Sequence, residues 1–188
     1  MTVHAPDAAF LDHALTIARR AAKAAAEVID GYYCGEFRAE LKPDATPVTQ
    51  ADVEAEQAIR AVLHDAFPDH AIYGEEQGKD GDSPWVWLVD PLDGTKSFVR
   101  RNPVFSTQIA LMYHDQLVLG VSCASQFGQE AWARRGGGAF LNDKPLNVAP
   151  TAQMRDAVVS TGNLKSLTQG MRWNALGQLL QEVNRGRG

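Results

Sequence analysis

Two aspartates three residues apart, Asp90 and Asp93, follow an apolar run and stand on either side of Pro91. Because proline restricts the backbone, we expect a sharp bend that turns both carboxylates toward one point, with the carbonyl of Leu92 as a candidate further oxygen. Hard divalent cations such as Mg²⁺ bind carboxylate and carbonyl oxygens together with water, and they need neither histidine nor cysteine. The stretch therefore predicts a magnesium site, although an Asp-x-x-Asp pair on its own fits a helix cap and a tight turn equally well.

Gly94 and Thr95 come directly after this pair. Glycine leaves room for another group to approach the backbone closely. If Thr95 begins a helix, the N–H groups of its first turn attract an anion. A phosphate bound beside a metal ion satisfies both features, so the stretch favours chemistry at a phosphate group.

A second group of carboxylates is expected at the end of another strand. Glu75 and Glu76 follow the apolar run 71–74, and solvation at the surface is the alternative interpretation. Asp52 lies three residues after Thr49, where it completes a capping box, and for Asp52 alone this structural role is favoured over a catalytic one. Together with the aspartate pair, these residues favour a shared site more strongly than any one motif does.

Two helices are predicted before the strands that carry these motifs. Apolar residues recur every three or four positions from Asp7 to about Asp30, which predicts an amphipathic helix that ends at Gly31. Thr49 is expected to cap a second helix that continues to about residue 68. Between the two helices, 42–47 is expected to be an irregular loop.

The rest of the chain predicts short strands, most of them in antiparallel hairpins. The expected strands are 71–73, 85–89, 105–112 paired with 117–123 across His114-Asp115-Gln116, and 130–134 paired with 139–141. A strand at 157–160 and a helix at about 176–183 then begin a second α/β layer.

The composition limits the classes of function. The 188 residues carry a net charge of −5 without any Lys/Arg-rich run, which argues against a nucleic-acid-binding protein. Cys34 and Cys123 show no paired spacing, so neither a disulfide framework nor a zinc site is predicted. The first thirty residues contain no unbroken apolar segment like that of a signal peptide or membrane span, so we expect a cytoplasmic protein that does not bind membranes. The five histidines show no ligand spacing and are expected to be solvated, without a role.

Three segments, in this order, resemble the inositol monophosphatase family of magnesium-dependent phosphatases. In this chain they are Lys42-Pro-Asp-Ala-Thr-Pro-Val-Thr-Gln-Ala-Asp52, Gly74-Glu-Glu76 and Asp90-Pro-Leu-Asp-Gly-Thr95. The family carries a Lys-x-Asp-x-Thr-x-Val-Thr-x-x-Asp stretch, a Gly-Glu-Glu stretch and an Asp-Pro-Ile/Leu-Asp-Gly-Thr stretch. Three ordered matches are far more specific than one. The resemblance covers the chain from about residue 10 to its end.

The resemblance implies a site for roughly two or three Mg²⁺ ions. Glu75, Asp90 and the carbonyl of Leu92 would hold a first ion. Asp90 and Asp93 would share a second ion.

The resemblance also implies catalytic roles. Glu75 and Thr95 would flank the attacking water, and Asp52 would orient that water without touching an ion itself. The amides of Gly94 and Thr95 would meet the phosphate. One ion would lower the pKa of the water and another would stabilise the leaving alkoxide, so the expected reaction is an in-line displacement without a phosphoenzyme.

The fold that the resemblance implies is α/β (α+β), a layered α-β-α-β-α sandwich of the inositol monophosphatase and sugar phosphatase type. We assign 1–150 to an N-terminal α/β phosphatase layer that carries the metal motifs, and 151–188 to the start of a C-terminal α/β layer. The family's third acidic motif, an Asp in a Trp-Asp or Leu-Asp-x-Ala-Ala context, has no match here. The second layer is therefore expected to be incomplete and the chain truncated, and a homodimer is the expected assembly.

A small phosphorylated metabolite is the expected substrate. Within the family, 90–111 looks most like the bacterial histidinol-phosphate phosphatases, which predicts histidinol-phosphatase activity. Inositol 1-phosphate and a 3′(2′),5′-bisphosphate nucleotide are the alternative substrates. A non-enzymatic alternative is an inactive fragment or dimerisation module that binds Mg²⁺ weakly.

Overall fold

The computed structural model describes residues 6–36, 39–41, 47–162, 164–168, 172–183 and 185–187. The chain forms two compact units, Met1–Leu146 and Asn147–Gly188. The assignment of functional layers to 1–150 and 151–188 stays a prediction. Within the described ranges, no helix has the length and apolar character that crossing a membrane requires.

Five α-helices and twelve strands are described, with two short 3₁₀ turns at Ser125–Phe127 and Met154–Asp156. The helices are α1 (Ala8–Cys34), α2 (Gln50–Ala66), α3 (Thr95–Val99), α4 (Leu164–Leu167) and α5 (Arg172–Glu182). The strands are β1 (Ala39–Leu41), β2 (Pro47–Thr49), β3 (Ala71–Gly74), β4 (Gly78–Asp80), β5 (Trp85–Asp93), β6 (Ser106–Tyr113), β7 (Gln116–Ala124), β8 (Gln129–Arg134), β9 (Gly138–Leu141), β10 (Lys144–Pro145), β11 (Val158–Ser160) and β12 (Arg185–Arg187).

Helix α1 is longer than the sequence predicts. It continues through Gly31 and ends at Cys34, so the expected end at Gly31 is wrong. Ile29 is buried and Tyr32 packs against the core on the same face of the helix. These tertiary contacts extend the helix past a glycine that disfavours helix by about 1 kcal/mol.

Helix α2 begins and ends close to the predicted positions. Thr49 is its N-cap and the helix ends at Ala66, shortly before Pro68. The antiparallel pair of β1 and β2 is not predicted by the sequence, and Pro47, which falls in the expected loop, begins β2. The remainder of that loop, 42–46, lies outside the described residues.

The central sheet has eight strands in the order β10-β9-β8-β7-β6-β5-β3-β4. Its neighbouring strands are antiparallel except for β3 and β5, which are parallel. The predicted hairpin of β6 and β7 is confirmed. Its turn residues His114 and Asp115 have φ angles of 44° and 59°, and a type I′ hairpin turn requires positive φ at both residues. Because β3 and β5 are parallel, both strands end at the same edge of the sheet.

Helices α1 and α2 pack on one face of this sheet. Trp87 of β5, Ile109 of β6 and Val121 of β7 are buried in the core. Side chains alternate between the two faces of a strand, and the alternate positions line an open groove of about 810 Å³ on the other face. Glu75 and Asp90 are among the residues that line this groove.

His70 differs from the expectation that the histidines are solvated. Its ring stacks on Phe67, with 4.7 Å between ring centroids, and on Trp85, with 5.4 Å between centroids. Burial lowers the pKa of His70, while the charge of Asp69 opposes that shift. His70 is therefore part of an aromatic cluster at the margin of the core.

The second unit is built from short elements. Strands β11 and β12 pair in parallel. The predicted strand at 157–160 is confirmed as β11, and the predicted helix at about 176–183 is confirmed as α5, which begins at Arg172.

Candidate metal and phosphate site

Glu75 and Asp90 lie side by side at the edge where β3 and β5 meet. The two strands pair in parallel up to Gly74 and Val89. The amide of Glu75 then donates to the carbonyl of Val89 at 3.0 Å. Glu75 is exposed and Asp90 is half-buried. The fold thus brings together two carboxylates that are distant in the sequence.

The carboxyl group of Asp90 has a strongly raised pKa. Burial, the charge of Glu75, a hydrogen bond with Glu75 and the charge of Asp93 together raise the pKa of Asp90 to about 7. Carboxylates that are this close repel one another, and a divalent cation among them removes the repulsion. The donor set therefore fits a hard cation such as Mg²⁺.

Metal binding requires some side-chain rearrangement. In the part of the chain that the structure describes, no three His, Cys, Asp or Glu side chains are arranged to hold a metal ion as they stand. Glu75 and Asp93 are both exposed, and exposed side chains change rotamer within nanoseconds. Rotation of these side chains toward Asp90 is thus accessible. The ligand assignment of Glu75, Asp90, Leu92 and Asp93 stays a prediction.

A β-bulge separates Asp90 from Asp93. Three residue steps on β5 between these aspartates match two steps on β6. The buried hydroxyl of Thr107, on the facing strand, donates to the carbonyl of Pro91 at 2.9 Å. This contact lies within the bulge, where the sequence predicts a bend, and the bulge changes the direction in which the second aspartate points.

Gly94 connects β5 to α3. It is the N-cap of α3 and has a φ of 101°, a conformation that side-chain-bearing residues rarely adopt. A Cβ atom here would lie 2.9 Å from the carbonyl oxygen of Val104 and 3.1 Å from Phe105. The predicted helix start at Thr95 is confirmed. Glycine is required at this turn for both its conformation and its size.

Asp52 serves the helix cap and the site at the same time. Its Oδ2 atom accepts hydrogen bonds from the amide and the hydroxyl of Thr49, at 2.8 and 2.6 Å. Its Oδ1 atom accepts from the hydroxyl of Thr95 at 3.0 Å, and that hydroxyl also lies 3.1 Å from the carbonyl of Leu92. Burial raises the pKa of Asp52, and the hydrogen bonds from the two threonines oppose the shift. The capping box is confirmed, and it coexists with a contact to the site.

Glu56 is a buried carboxylate behind the turn that carries Glu75. It pairs with Arg60 at 2.8 Å and accepts hydrogen bonds from the two amides that follow Glu75, at 2.7 and 3.2 Å. Neither Glu56 nor Arg60 is among the residues predicted from the sequence. The sequence does contain a sign of this role, because Glu56 lies on the apolar face of α2 with Ile59. A charged residue that is buried there needs a partner.

Comparison with known proteins gives a consistent result. The sequence profile of the inositol monophosphatase family matches residues 11–186. A histidinol-phosphatase of Streptomyces coelicolor is 36% identical over 171 residues, which cover 86% of this chain and 64% of that protein. An inositol-1-monophosphatase of Mesorhizobium japonicum is 39% identical over 141 residues, which cover 74% of this chain and 53% of that protein. This chain thus spans less than two thirds of the length of either relative.

Solved structures share the fold. The extragenic suppressor protein SuhB of Bartonella henselae superposes with a TM-score of 0.87 at 31% identity, over 93% of this chain and 69% of that chain. The layered α/β architecture expected from the sequence is therefore confirmed.

Proposed function

Because this chain belongs to the inositol monophosphatase family, we propose that it provides the metal and phosphate site of an enzyme that hydrolyses a small phosphate monoester. Members of this family are metal-dependent phosphatases. The observation that carries the proposal is the cluster of Glu75, Asp90 and Asp93, in which burial and the two neighbouring carboxylates raise the pKa of Asp90 to about 7. Asp93, the last residue of this cluster, directly precedes the glycine turn at Gly94.

Mg²⁺ is the ion that suits this donor set, because every candidate ligand is an oxygen. Glu75, Asp90 and the carbonyl of Leu92 would hold a first ion, and Asp90 and Asp93 would hold a second. When bound, the ions supply Lewis-acid catalysis at the attacking water and at the leaving oxygen.

The chain's own groups then hold the water. The hydroxyl of Thr95 has one proton, which it donates toward Asp52 or toward the carbonyl of Leu92. If Leu92 is occupied as a ligand, Asp52 is the acceptor that is left. The lone pairs of the Thr95 oxygen then accept a hydrogen bond from the water. Glu75, at the same edge of the sheet, is the proposed general base that accepts the other proton of that water.

The phosphate is proposed to bind at the start of α3. The N–H groups at the start of a helix lack partners within the helix and carry partial positive charge. Gly94 and Thr95 supply such groups next to the carboxylates. The phosphate would therefore lie where cations and amides converge on it.

Histidinol phosphate is the substrate that we propose. Its support is the likeness of 90–111 to histidinol-phosphate phosphatases, together with the histidinol-phosphatase of S. coelicolor that matches 86% of this chain. Inositol 1-phosphate is the second candidate, because the inositol-1-monophosphatase of M. japonicum has a similar identity of 39% over a shorter match.

Phosphate release from histidinol phosphate, inositol 1-phosphate and adenosine 3′,5′-bisphosphate, at several Mg²⁺ concentrations, tests this proposal. We expect Mg²⁺-dependent release with the highest kcat/KM for histidinol phosphate, and a loss of about a hundredfold in Asp93→Asn, because that aspartate serves the second ion. The thermal midpoint of Asp93→Asn checks that the variant is folded. Mg²⁺ binding without release from any ester would favour the non-catalytic module instead.

The assembly and location are further proposals. A homodimer is expected from the family resemblance, and sedimentation at twice the mass of the chain would support it. Cys34 and Cys123 are both free thiols, which agrees with a reducing compartment such as the cytoplasm.

A further inference from the structure

Glu56 has no exposed surface, and each of its carboxylate oxygens has a partner. Its Oε1 atom lies 2.8 Å from Nε of Arg60 and 3.2 Å from the amide of Gln77. Its Oε2 atom lies 2.7 Å from the amide of Glu76. Burying a carboxylate is costly unless its charge and its lone pairs are matched. Here a guanidinium and two backbone amides match them, so the buried ion pair is anchored on the turn between β3 and β4.

Arg60 holds the other end of the same turn. Its Nη2 atom donates to the carbonyl of Gly78 at 2.6 Å, while its Nε atom pairs with Glu56. The Arg60 side chain is 11% exposed. Glu56 and Arg60, one turn apart on α2, therefore both form hydrogen bonds with the β3–β4 turn. We call this pair of residues the clasp. The guanidinium also cancels the charge of Glu56, so the clasp adds no net negative charge beneath the carboxylate cluster.

Gly74 allows the carboxylate to reach this turn. A Cβ atom at Gly74 would lie 2.1 Å from Oε1 of Glu56, which is well inside contact distance. The absence of a side chain at the last residue of β3 thus makes room for Glu56 immediately before Glu75.

We propose that Glu56 and Arg60 are positioning residues for Glu75. They fix the backbone of the turn so that the Glu75 carboxylate stands beside Asp90, where a metal ligand is needed. This inference rests on the proposed function of Glu75 as a ligand. Because the Glu75 side chain is exposed, its position depends on how firmly its backbone is fixed. The amide of Glu75 donates a hydrogen bond to the carbonyl of Val89. The amides of the two residues that follow Glu75 donate to the carboxylate of Glu56.

Two variants test the clasp. Glu56→Gln keeps the shape but replaces one acceptor oxygen by an N–H donor that faces backbone N–H groups. It should weaken Mn²⁺ binding about tenfold or more, as loss of a partner that orients a ligand does. Arg60→Lys keeps the charge but cannot reach both Glu56 and Gly78, and it should weaken Mn²⁺ binding about threefold.

Glu130→Gln is the matched control. It breaks the ion pair of Glu130 with Arg19, 2.7 Å, which joins α1 to β8 rather than to the β3–β4 turn. Glu130→Gln should lower the thermal midpoint while the Mn²⁺ dissociation constant stays unchanged. If Glu56 only stabilises the fold, Glu56→Gln should likewise have a lower thermal midpoint and an unchanged Mn²⁺ dissociation constant.

Titration calorimetry with Mn²⁺ and amide hydrogen exchange, both on this chain well below its thermal midpoint, give the readouts. The expected result is weaker Mn²⁺ binding together with faster exchange at Glu76 and Gln77. If the chain is catalytically active, the Mg²⁺ concentration that gives the half-maximal rate should be higher in Glu56→Gln than in the unaltered chain, while KM for the ester stays the same. If Glu56→Gln does not fold, Arg60→Lys decides.

The outcomes separate this inference from the proposed function. Unchanged Mn²⁺ affinity in folded Glu56→Gln, or in Arg60→Lys where that variant decides, overturns the positioning role and leaves the proposed function intact. Weaker Mn²⁺ binding by the variants supports the positioning role. If the unaltered chain then shows no phosphatase activity, the proposed catalysis is overturned while the positioning role stands. Failure of the unaltered chain to bind Mn²⁺ overturns both.

Discussion

The hydroxyl of Thr95 donates to Oδ1 of Asp52 across 3.0 Å, although the two residues are 43 positions apart. The other carboxylate oxygen of Asp52 accepts both hydrogen bonds from Thr49. The cap of α2 is therefore also the link between α2 and the start of α3. The carboxylate of Asp52 thus stabilises the start of α2 and also orients a residue of the proposed active site.

Replacing the two capping residues separately should distinguish these roles. Asp52→Asn should lower phosphate release at least about tenfold, because an amide that still faces Thr49 cannot keep Thr95 oriented in the same way. Thr49→Ala should cost about 1 kcal/mol of stability, as loss of a cap does, and should affect phosphate release much less. Urea unfolding and phosphate release measure the two effects. Equal losses of activity would mean that helix capping explains the contribution of Asp52.

Asp90→Asn should stabilise the metal-free chain at neutral to alkaline pH. The pKa of Asp90 is about 7 in the folded chain, above its ordinary value of 3.8. Between these values the folded state holds a proton that the unfolded state has lost, so this group makes the folded state less stable as the pH rises through that window. Asn carries no charge and removes this loss.

Thermal unfolding without metal at about pH 8 and about pH 3.5 checks the sign, since the stabilisation should be present at the higher pH and absent at the lower. Asp115→Asn, in the exposed β6–β7 turn, is the control for loss of a carboxylate elsewhere. A lower midpoint for Asp90→Asn than for the unaltered chain at about pH 8 would contradict the raised pKa of Asp90.

Gly94→Ala should destabilise the fold more than glycine replacement at an open turn does. A Cβ atom at Gly94 meets Val104 at 2.9 Å and the φ is 101°, whereas Gly128 has a φ of 59° and nothing within 4 Å of a Cβ atom. We expect about 2 to 3 kcal/mol for Gly94→Ala and about 1 kcal/mol for Gly128→Ala. Urea unfolding measures both, and equal costs would show that the loop at Val104 adjusts freely.

Acid should destabilise the chain through His70. Burial lowers the pKa of His70 from its ordinary 6.5, so its contribution is fully present above that pH. The contribution is lost as the pH falls through 6.5 toward the lower folded-state value, because the unfolded state binds the proton more readily. His70→Phe should reduce the loss of thermal stability between about pH 7 and about pH 5, whereas His114→Phe, at an exposed turn, should not. The same pH dependence in His70→Phe as in the unaltered chain would contradict this.

The range of each contact decides how much of the site the sequence predicts. The helix start at Thr95 and the cap at Thr49 depend on neighbouring residues, and they are found where the sequence predicts them. Glu56 instead contacts an amide 20 positions away, and Thr107 contacts a carbonyl 16 positions away. Such contacts depend on which elements pack together, and a single sequence does not specify that.

The wrong end predicted for α1 has a similar cause. Gly31 is a local signal for a helix end, but the burial of Ile29 and the packing of Tyr32 outweigh it. Local propensity amounts to about 1 kcal/mol here, and burial of a large apolar side chain is worth about 1.5 to 3 kcal/mol.

The central claim is that Glu75, Asp90 and Asp93 bind a divalent metal ion. Diffraction from crystals of this chain soaked in Mn²⁺ tests it directly, because the anomalous signal locates the ion independently of any assay. We predict an anomalous peak with carboxylate oxygens of Glu75 and Asp90 within about 2 to 2.5 Å, and a weaker or absent second peak in Asp93→Asn. A peak at a histidine site such as His64 and Asp80, which lie 3.2 Å apart, without a peak at the three carboxylates would contradict the account.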